Sequence, residues 1–441
     1  MRTSIGILGD GLPPEETQVF RIAPVVAVPS SSASVALAAL ADPGRMRDAG
    51  YCNESDIRRL WDQKTRLDGL FDAGEGDAYF RARDELYPVA RRGSRRSLGN
   101  RAGDKLSEVV EAVGGLRGAL SADPSENAFV DVCGAPGAWS RFLLSLGRSG
   151  GTRMRGFGFS LRDGTNPLSC TWYQDLISRS DFQALWGADG TGDVCKLENI
   201  AHVVETVGRR VCIVVADGGF GISASLDGEH LENYQEIISG RILLAETLVM
   251  LETLRAGGCF VCKVFDTFTH VTVSLLYVVA ALFGAAYVVK PRRSRAVNSE
   301  RYVVGLRFQG ARAPGFPRLR EAVRGALTSW PRPEEAAGGP WAGLAPVSAV
   351  NPALLLAEEP FLASVRAMAG SLCRQQSSAL RAVVDRALEL RAKRRRLAHW
   401  RLPPGGRPPA GRAGAMPAAL GGPAGGVPAH ERRGEEAVRG G

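Results

Sequence analysis

No run of about 18 or more apolar residues occurs in this sequence, so nothing in it reads as a membrane span. Cysteine is sparse. The 8 present are scattered through apolar stretches, which excludes a disulfide framework and reads as reduced thiols in a cytosolic or nuclear protein. The glycine turns lack the Gly-Lys-Ser/Thr ending of a phosphate loop, so a nucleoside triphosphate is not the expected ligand. No internal repeat is found. What is present, 45% hydrophobic and 23% charged residues over 441, is globular in composition. Lys+Arg 55 against Asp+Glu 46 gives a net charge of +9, which favours a polyanionic partner such as nucleic acid.

Composition divides the chain into four parts. Residues 1–44 are rich in Pro, Ser and Ala and read as a disordered leader, with an organelle address as the alternative for its Ala/Val/Ser run. Residues 45–310 carry the periodic patterns of a folded domain. Residues 311–402 read as a helical extension after a Pro/Gly/Trp-rich passage, and 403–441 as a disordered Gly/Pro/Ala tail. Order is expected to begin near Tyr51. A helix carries Ile57, Leu60, Trp61, Leu67 and Leu70, and a second carries Leu106, Val109, Val110 and Val113 before Gly114-Gly115. Apolar strands are then expected at 129–133, 156–160, 211–216, 259–265, 286–289 and 302–308, with helices between several of them, notably over 232–255 and 272–283. That alternation predicts an α/β fold: a mostly parallel sheet with helices on both faces. The last two strands lack a helix between them and are expected to form an antiparallel pair at one end.

Two features carry chemistry. The first is the strand, turn and helix start running from Val130 through Cys133, Gly134, Ala135, Pro136, Gly137, Ala138 and Trp139 to Ser140. Small residues there let a ligand approach the backbone at the carboxyl end of a strand, where open α/β sheets bind ligands. Asp193, followed by Val194, is a polar break able to reach an adenine edge. Asp217 ends the apolar strand 211–216 beside Gly218-Gly219, and its plainer reading is a turn cap. The second feature is Lys263, the one polar residue in Cys259-Phe260-Val261-Cys262-Lys263-Val264-Phe265. Lysine is rarely buried unpaired, and burial can bring it toward a general base; snorkelling from the strand end is the alternative. Cys259 and Cys262 read as buried thiols rather than a metal or redox pair. Glu300 could pair with Lys263 or face solvent, and Lys105 stands near a helix start.

The order Lys105, Gly134 to Gly137, Asp217, Lys263, Glu300 resembles the Lys-Asp-Lys-Glu tetrad of FtsJ-type ribose 2′-O-methyltransferases. The closer similarity is to the eukaryotic cap-specific mRNA 2′-O-methyltransferases that make cap 1. It is carried by Asn100-Arg101-Ala102, Ala216-Asp217-Gly218-Gly219-Phe220, Glu232-Asn233-Tyr234-Gln235-Glu236, Lys263 to Thr269, and Ser294-Arg295 to Val304, over roughly residues 50–310. The resemblance implies a Rossmann-like fold and S-adenosylmethionine held by Cys133, Gly134, Ala135, Pro136, Gly137, Ala138, Trp139, Asp193 and Val194. It implies Lys263 as the base toward the ribose 2′-hydroxyl, with Lys105, Asp217 and Glu300 around it and no metal. It implies contacts to the capped mRNA 5′ end from Lys64, Arg83, Asn100, Asn233, Tyr234, Gln235 and Asn298, a link to the transcription or capping machinery, and a nuclear location, with the cytoplasm as alternative.

The basic segments 81–96 and Arg292-Arg293 are expected to line the RNA path. The run from Arg391 to Arg396 reads as an import signal or an exposed helix end. Ala138 stands where the family commonly has glycine, which is tolerable if its φ is negative. The loop 221–230 is lengthened, and the guanylyltransferase-like and WW modules of some animal relatives do not follow residue 310. Two alternatives stand beside the cap reading: a ribosomal or transfer RNA ribose methyltransferase, and an inactive RNA-binding subunit of the same fold.

Overall fold

A strand without a polar face has to be covered on both sides, and Val211–Ala216 is such a strand, with all six residues buried. It lies inside an eight-stranded sheet. In chain order the strands are β1 (Gln18–Ile22), β2 (Ala128–Val132), β3 (Arg155–Phe159), β4 (Phe182–Leu185), β5 (Val211–Ala216), β6 (Leu254–Val264), β7 (Phe283–Lys290) and β8 (Arg301–Phe308). Their lateral order is β1-β7-β8-β6-β5-β2-β3-β4. Strands β6, β5, β2, β3 and β4 run parallel, while β8, β7 and β1 are joined antiparallel. The computed structural model describes residues 16–25, 28, 38–39, 50–88, 100–114, 116–149, 151–162, 171–208, 211–219, 225–226, 229–230, 234–330 and 347–400.

The expected α/β sheet is therefore present, with its antiparallel strands at one end. Strand β8 slides between β7 and β6 rather than adding to the outside, which places Tyr302 opposite Lys263 in register. The leader expected to be disordered contributes β1, whose residues 18–22 pair with Lys290 to Ala286. The strand escaped notice because it is short and only Ile22 is deeply buried, at 1% exposure; it closes the otherwise open edge of β7. Strand β4 was also unforeseen, since its pattern of buried ends and open middle offers too few apolar residues to stand out. The single helix expected over 232–255 is two: α7 (Gln235–Ile238) and α8 (Gly240–Thr253), after which Leu254 already belongs to β6.

Helices α1 (Glu54–Asp72), α2 (Gly76–Leu86), α3 (Arg101–Val113), α4 (Ala138–Ser149), α5 (Gln174–Ile177) and α6 (Leu197–Val207) precede those two. Helices α9 (His270–Leu282), α10 (Phe316–Ser329), α11 (Pro352–Ala357) and α12 (Glu359–Trp400) follow. Helix α3 is amphipathic and closes where Gly114 takes a left-handed φ of 60°, as glycine allows. With α4 it covers one face of the sheet. Helices α8 and α9 are apolar nearly all round and buried, the signature of an inner layer. Their outer sides are covered by α10 and by Phe361, Val365, Met368, Leu372 and Val383 of α12, within one continuous core. The helices after residue 310 therefore finish the cover of the sheet rather than enclosing a core of their own. Tyr277 against Phe361, with ring centres 5.5 Å apart, is one such contact. No helix among the described residues is long and apolar enough to cross a membrane. The tail beyond residue 400 lies outside the described residues.

Candidate active site

Parallel strands deliver their carboxyl ends to one edge, and the polar residues singled out above converge there. Asp217 follows β5 directly, and its N–H donates to the Val132 carbonyl at 3.2 Å, which ties it to the end of β2. Since Ala216 sits opposite Cys262 in register, Asp217 falls beside Lys263. Lys263 Nζ donates to the Asp217 carbonyl at 2.8 Å and lies 3.1 Å from its carboxylate Oδ1. Across β8, Glu300 and Tyr302 are two residues apart and so share a face, and Tyr302 OH donates to Glu300 Oε1 at 2.8 Å. Lys105 arrives from α3 and grips both oxygens of Glu300, at 2.6 and 2.7 Å. The first turn of α3 is fixed for this task. Asn100 caps it by accepting from Gly103 N at 2.6 Å, and the Trp139 indole N–H donates to the Ala102 carbonyl at 2.9 Å.

The four groups thus form two ion pairs, Lys263–Asp217 and Lys105–Glu300, each largely buried. Burial alone would lower the Lys263 pKa. Asp217, Glu300 and Glu246 outweigh it, and the net direction is upward. Burial would raise that of Glu300, but Lys105, Lys263 and the Tyr302 hydroxyl hold it down to about 2. Glu246, on the inner face of α8, is pushed up to about 7 by burial despite accepting from Gly218 N at 2.8 Å and from the Cys262 thiol. It supports the Gly218-Gly219 turn from beneath, and a Cβ on Gly219 would stand 3.3 Å from Lys263 Nζ. A small cavity beside Lys263 is lined by Gly218, Glu236, Glu246, Phe265 and Thr272 among others.

The glycine turn occupies the same edge on β2. Cys133 has a φ of 55° and Gly137 one of 106°, while Ala138 has negative φ as the first residue of α4, so the family's glycine is dispensable there. Gly134 is packed on Asp131, whose carboxyl accepts from Ser140 Oγ at 2.6 Å and is raised to about 7 by burial. The Ala135 N–H donates to Ser160 Oγ at 3.3 Å, and the Ser160 carbonyl lies 1.9 Å from where a Gly192 Cβ would be. Ser160 therefore joins the turn to the loop bearing Asp193, whose Oδ1 accepts from Cys195 N at 2.9 Å. Val194 is buried, and the Trp139 ring belongs to the core.

The residues expected to hold RNA are spread over several elements of the fold. Lys64 lies on the buried stripe of α1 with Ile57, Leu60 and Leu67, and its ammonium approaches Asp266 at 3.6 Å; Arg301 holds that carboxylate at 3.0 Å. Gln235 Oε1 accepts from Ser299 Oγ at 3.4 Å, next to Glu300. Tyr234 is buried edge-on against Trp61, and Asn298 donates its N–H to the Arg295 carbonyl. Arg83 lies over the Phe80 ring at 4.9 Å and shares Asp84 with Arg295. Asn233 and the basic residues 89–99 lie outside the described residues. Arg293 departs from expectation. It is paired with Glu108 at 2.9 Å and Asp104 at 3.5 Å, so its charge is spent on α3; Arg292 is exposed. All seven described cysteines are free, and Cys259 and Cys262 are buried strand thiols.

Sequence reasoning missed Glu246, Glu236, Lys290, Ser160 and Tyr302. Glu246 was detectable by the argument applied to Lys263, a charge inside an apolar run. Glu236 is likewise buried, and it caps the start of α9 by accepting from the N–H groups of Phe268 and Thr269. Ser160 carries no such signal.

The family model for FtsJ-like methyltransferases matches residues 98–308, the span that contains the whole of this edge. The cap-specific mRNA (nucleoside-2'-O-)-methyltransferase 1 of Trypanosoma cruzi (strain CL Brener) is 45% identical over 267 residues, which are 59% of this chain and 70% of that protein. The protein of the same name from Trypanosoma brucei brucei is 45% identical over 258 residues, 57% of this chain and 66% of its own length. A crystal structure described as a ribosomal RNA methyltransferase from Plasmodium falciparum superposes with a TM-score of 0.32 at 19% identity, covering 49% of this chain and 99% of that one. From these identities the chain belongs to the cap-specific mRNA (nucleoside-2'-O-)-methyltransferase family, with residues 98–308 matching the FtsJ-like methyltransferase model.

Proposed function

We propose that this enzyme transfers a methyl group from S-adenosylmethionine to the ribose 2′-hydroxyl of the first transcribed nucleotide of capped mRNA, with Lys263 as general base. The observation that carries the reading is the Lys263 amine, fixed by Asp217 and flanked by the Lys105–Glu300 pair, at the same sheet edge as the Gly134–Gly137 turn. The residues of that edge suit the donor. A left-handed glycine and a sharp Cys133 turn expose backbone, and Asp193 lies on a loop tied to the turn through Ser160. When bound, S-adenosylmethionine supplies an already activated sulfonium methyl and a positive charge near the amine.

A 2′-hydroxyl is a poor nucleophile near neutral pH, so the task left to the protein is proton removal and alignment. Lys263 Nζ accepts the hydroxyl proton. Asp217 orients the amine through its carbonyl and carboxylate, and a positive charge arriving nearby counters the carboxylates that hold the amine protonated. Lys105 keeps Glu300 ionised and in place. Lys64, Arg83, Asn100, Tyr234, Gln235 and Asn298, with Asn233, would hold the capped 5′ end. The run Arg391 to Arg396 would act as the import signal, although Arg391 also pairs with Glu75 within the fold.

The test is methyl transfer to RNAs identical except at the 5′ end, capped or uncapped, followed by nuclease mapping. Modification of the first transcribed nucleotide of capped RNA alone is expected. Equal modification of uncapped RNA, or label at an internal ribose, would contradict the assignment.

A further inference from the structure

We propose that Lys290 is a positioning residue: it clamps the backbone of residues 294–300 and so fixes Glu300 in the charged cluster. The proposal rests on the reading of Lys263 as the base. Lys290 is the last residue of β7, and β8 begins at Arg301, so everything between is the connection that delivers Glu300. The Lys290 ammonium donates to the carbonyls of Asn298 and Glu300, the latter at 2.7 Å, and to Ser294 Oγ at 3.2 Å. Ser294, itself fully buried, donates its hydroxyl to the same Glu300 carbonyl at 2.9 Å. An ammonium has three hydrogens, and all three find acceptors on this one connection.

Glu300 is consequently held at both ends. Lys290 and Ser294 hold its carbonyl, and Lys105 and Tyr302 hold its carboxylate. The same clamp bends the chain at Arg295, whose φ of 56° is unusual for a residue with a Cβ. Burial, with the repulsion of Arg301 and Lys105, brings the Lys290 pKa down to about 7 against the pull of Glu300. An apolar side chain of similar length would avoid that penalty. It could not hold two carbonyls at once.

The test is a double-mutant cycle read by single-turnover methyl transfer to capped RNA at saturating cofactor. Lys290→Met is expected to slow transfer roughly 10- to 100-fold while leaving S-adenosylhomocysteine affinity within about threefold. In a Glu300→Gln background the same substitution is expected to cost less than about twofold, because the group it positions is already disabled. A structural role unrelated to Glu300 would give the same loss in both backgrounds, and that result overturns the proposal, as does no loss in either. If Lys290→Met does not fold, Ser294→Ala replaces it in the cycle. It is expected to cost roughly 2- to 5-fold alone and nothing beside Glu300→Gln; equal losses in both overturn the proposal. Glu300→Gln as fast as the unchanged enzyme would overturn the catalytic reading beneath it instead.

Discussion

The two halves of the sheet edge are built from different materials. On β2, β3 and β4 the site is made of backbone: a left-handed Gly137, a packed Gly134, and a Ser160 that ties the turn to the loop bearing Asp193. On β5, β6 and β8 it is made of charge, as two buried ion pairs with Tyr302 and Glu246 in support. Backbone recognition tolerates side-chain change wherever φ and space permit, as Ala138 shows. The charged half tolerates little, since each buried charge there is paired with the next and removing one leaves its partner uncompensated. Grip on the donor and chemistry on the acceptor should therefore separate under mutation.

The largest expected effect lies in the charged half. Lys263→Ala should lower the single-turnover rate by about 10²- to 10⁴-fold, the range of a lost general base, with S-adenosylhomocysteine affinity nearly unchanged. Gly137→Ala should show the reverse pattern. Its Cβ would stand 2.4 Å from Leu176 Cδ2 in a backbone conformation that alanine resists, so cofactor affinity should fall about tenfold while the rate at saturation survives. Isothermal titration beside stopped reactions separates the two.

A smaller effect is expected at Glu246, beneath the glycine turn of β5. Its folded pKa of about 7 lies above the ordinary glutamate value, so its contribution to stability is complete below about pH 4.5 and is lost as pH rises through 7. The melting temperature of the unchanged enzyme minus that of Glu246→Gln should therefore shrink, by about 2–5 °C, between pH 5 and pH 8. A gap independent of pH would show that Glu246 does not titrate there.

The two halves were also unequally legible in the sequence. Lys263 and Asp217 stood out because charge in or beside an all-apolar strand needs a reason. Gly134 to Gly137 stood out because a strand, a glycine turn and a helix start follow one another. The pairing of Lys105 with Glu300 was hidden, for it depends on β8 entering between β7 and β6, a choice no local pattern encodes. The place of Lys64 on the apolar stripe of α1 could be read from the spacing of Ile57, Leu60 and Leu67 alone. Arg293 looked like a free charge for RNA because the carboxylates that engage it, Asp104 and Glu108, lie on a helix far away in sequence. Ser160 had no signal at all: its role comes only from three loops meeting in space.

The most direct test of the central claim, that the Lys263 amine is the base inside a coupled cluster, is the pH dependence of single-turnover methyl transfer at saturating cofactor and RNA. The rate should rise with pH along one limb and level off. In Glu300→Gln that limb should move to lower pH, because one of the carboxylates holding Lys263 protonated is gone. A rate that ignores pH, or a limb that stays in place when Glu300 loses its charge, would contradict it.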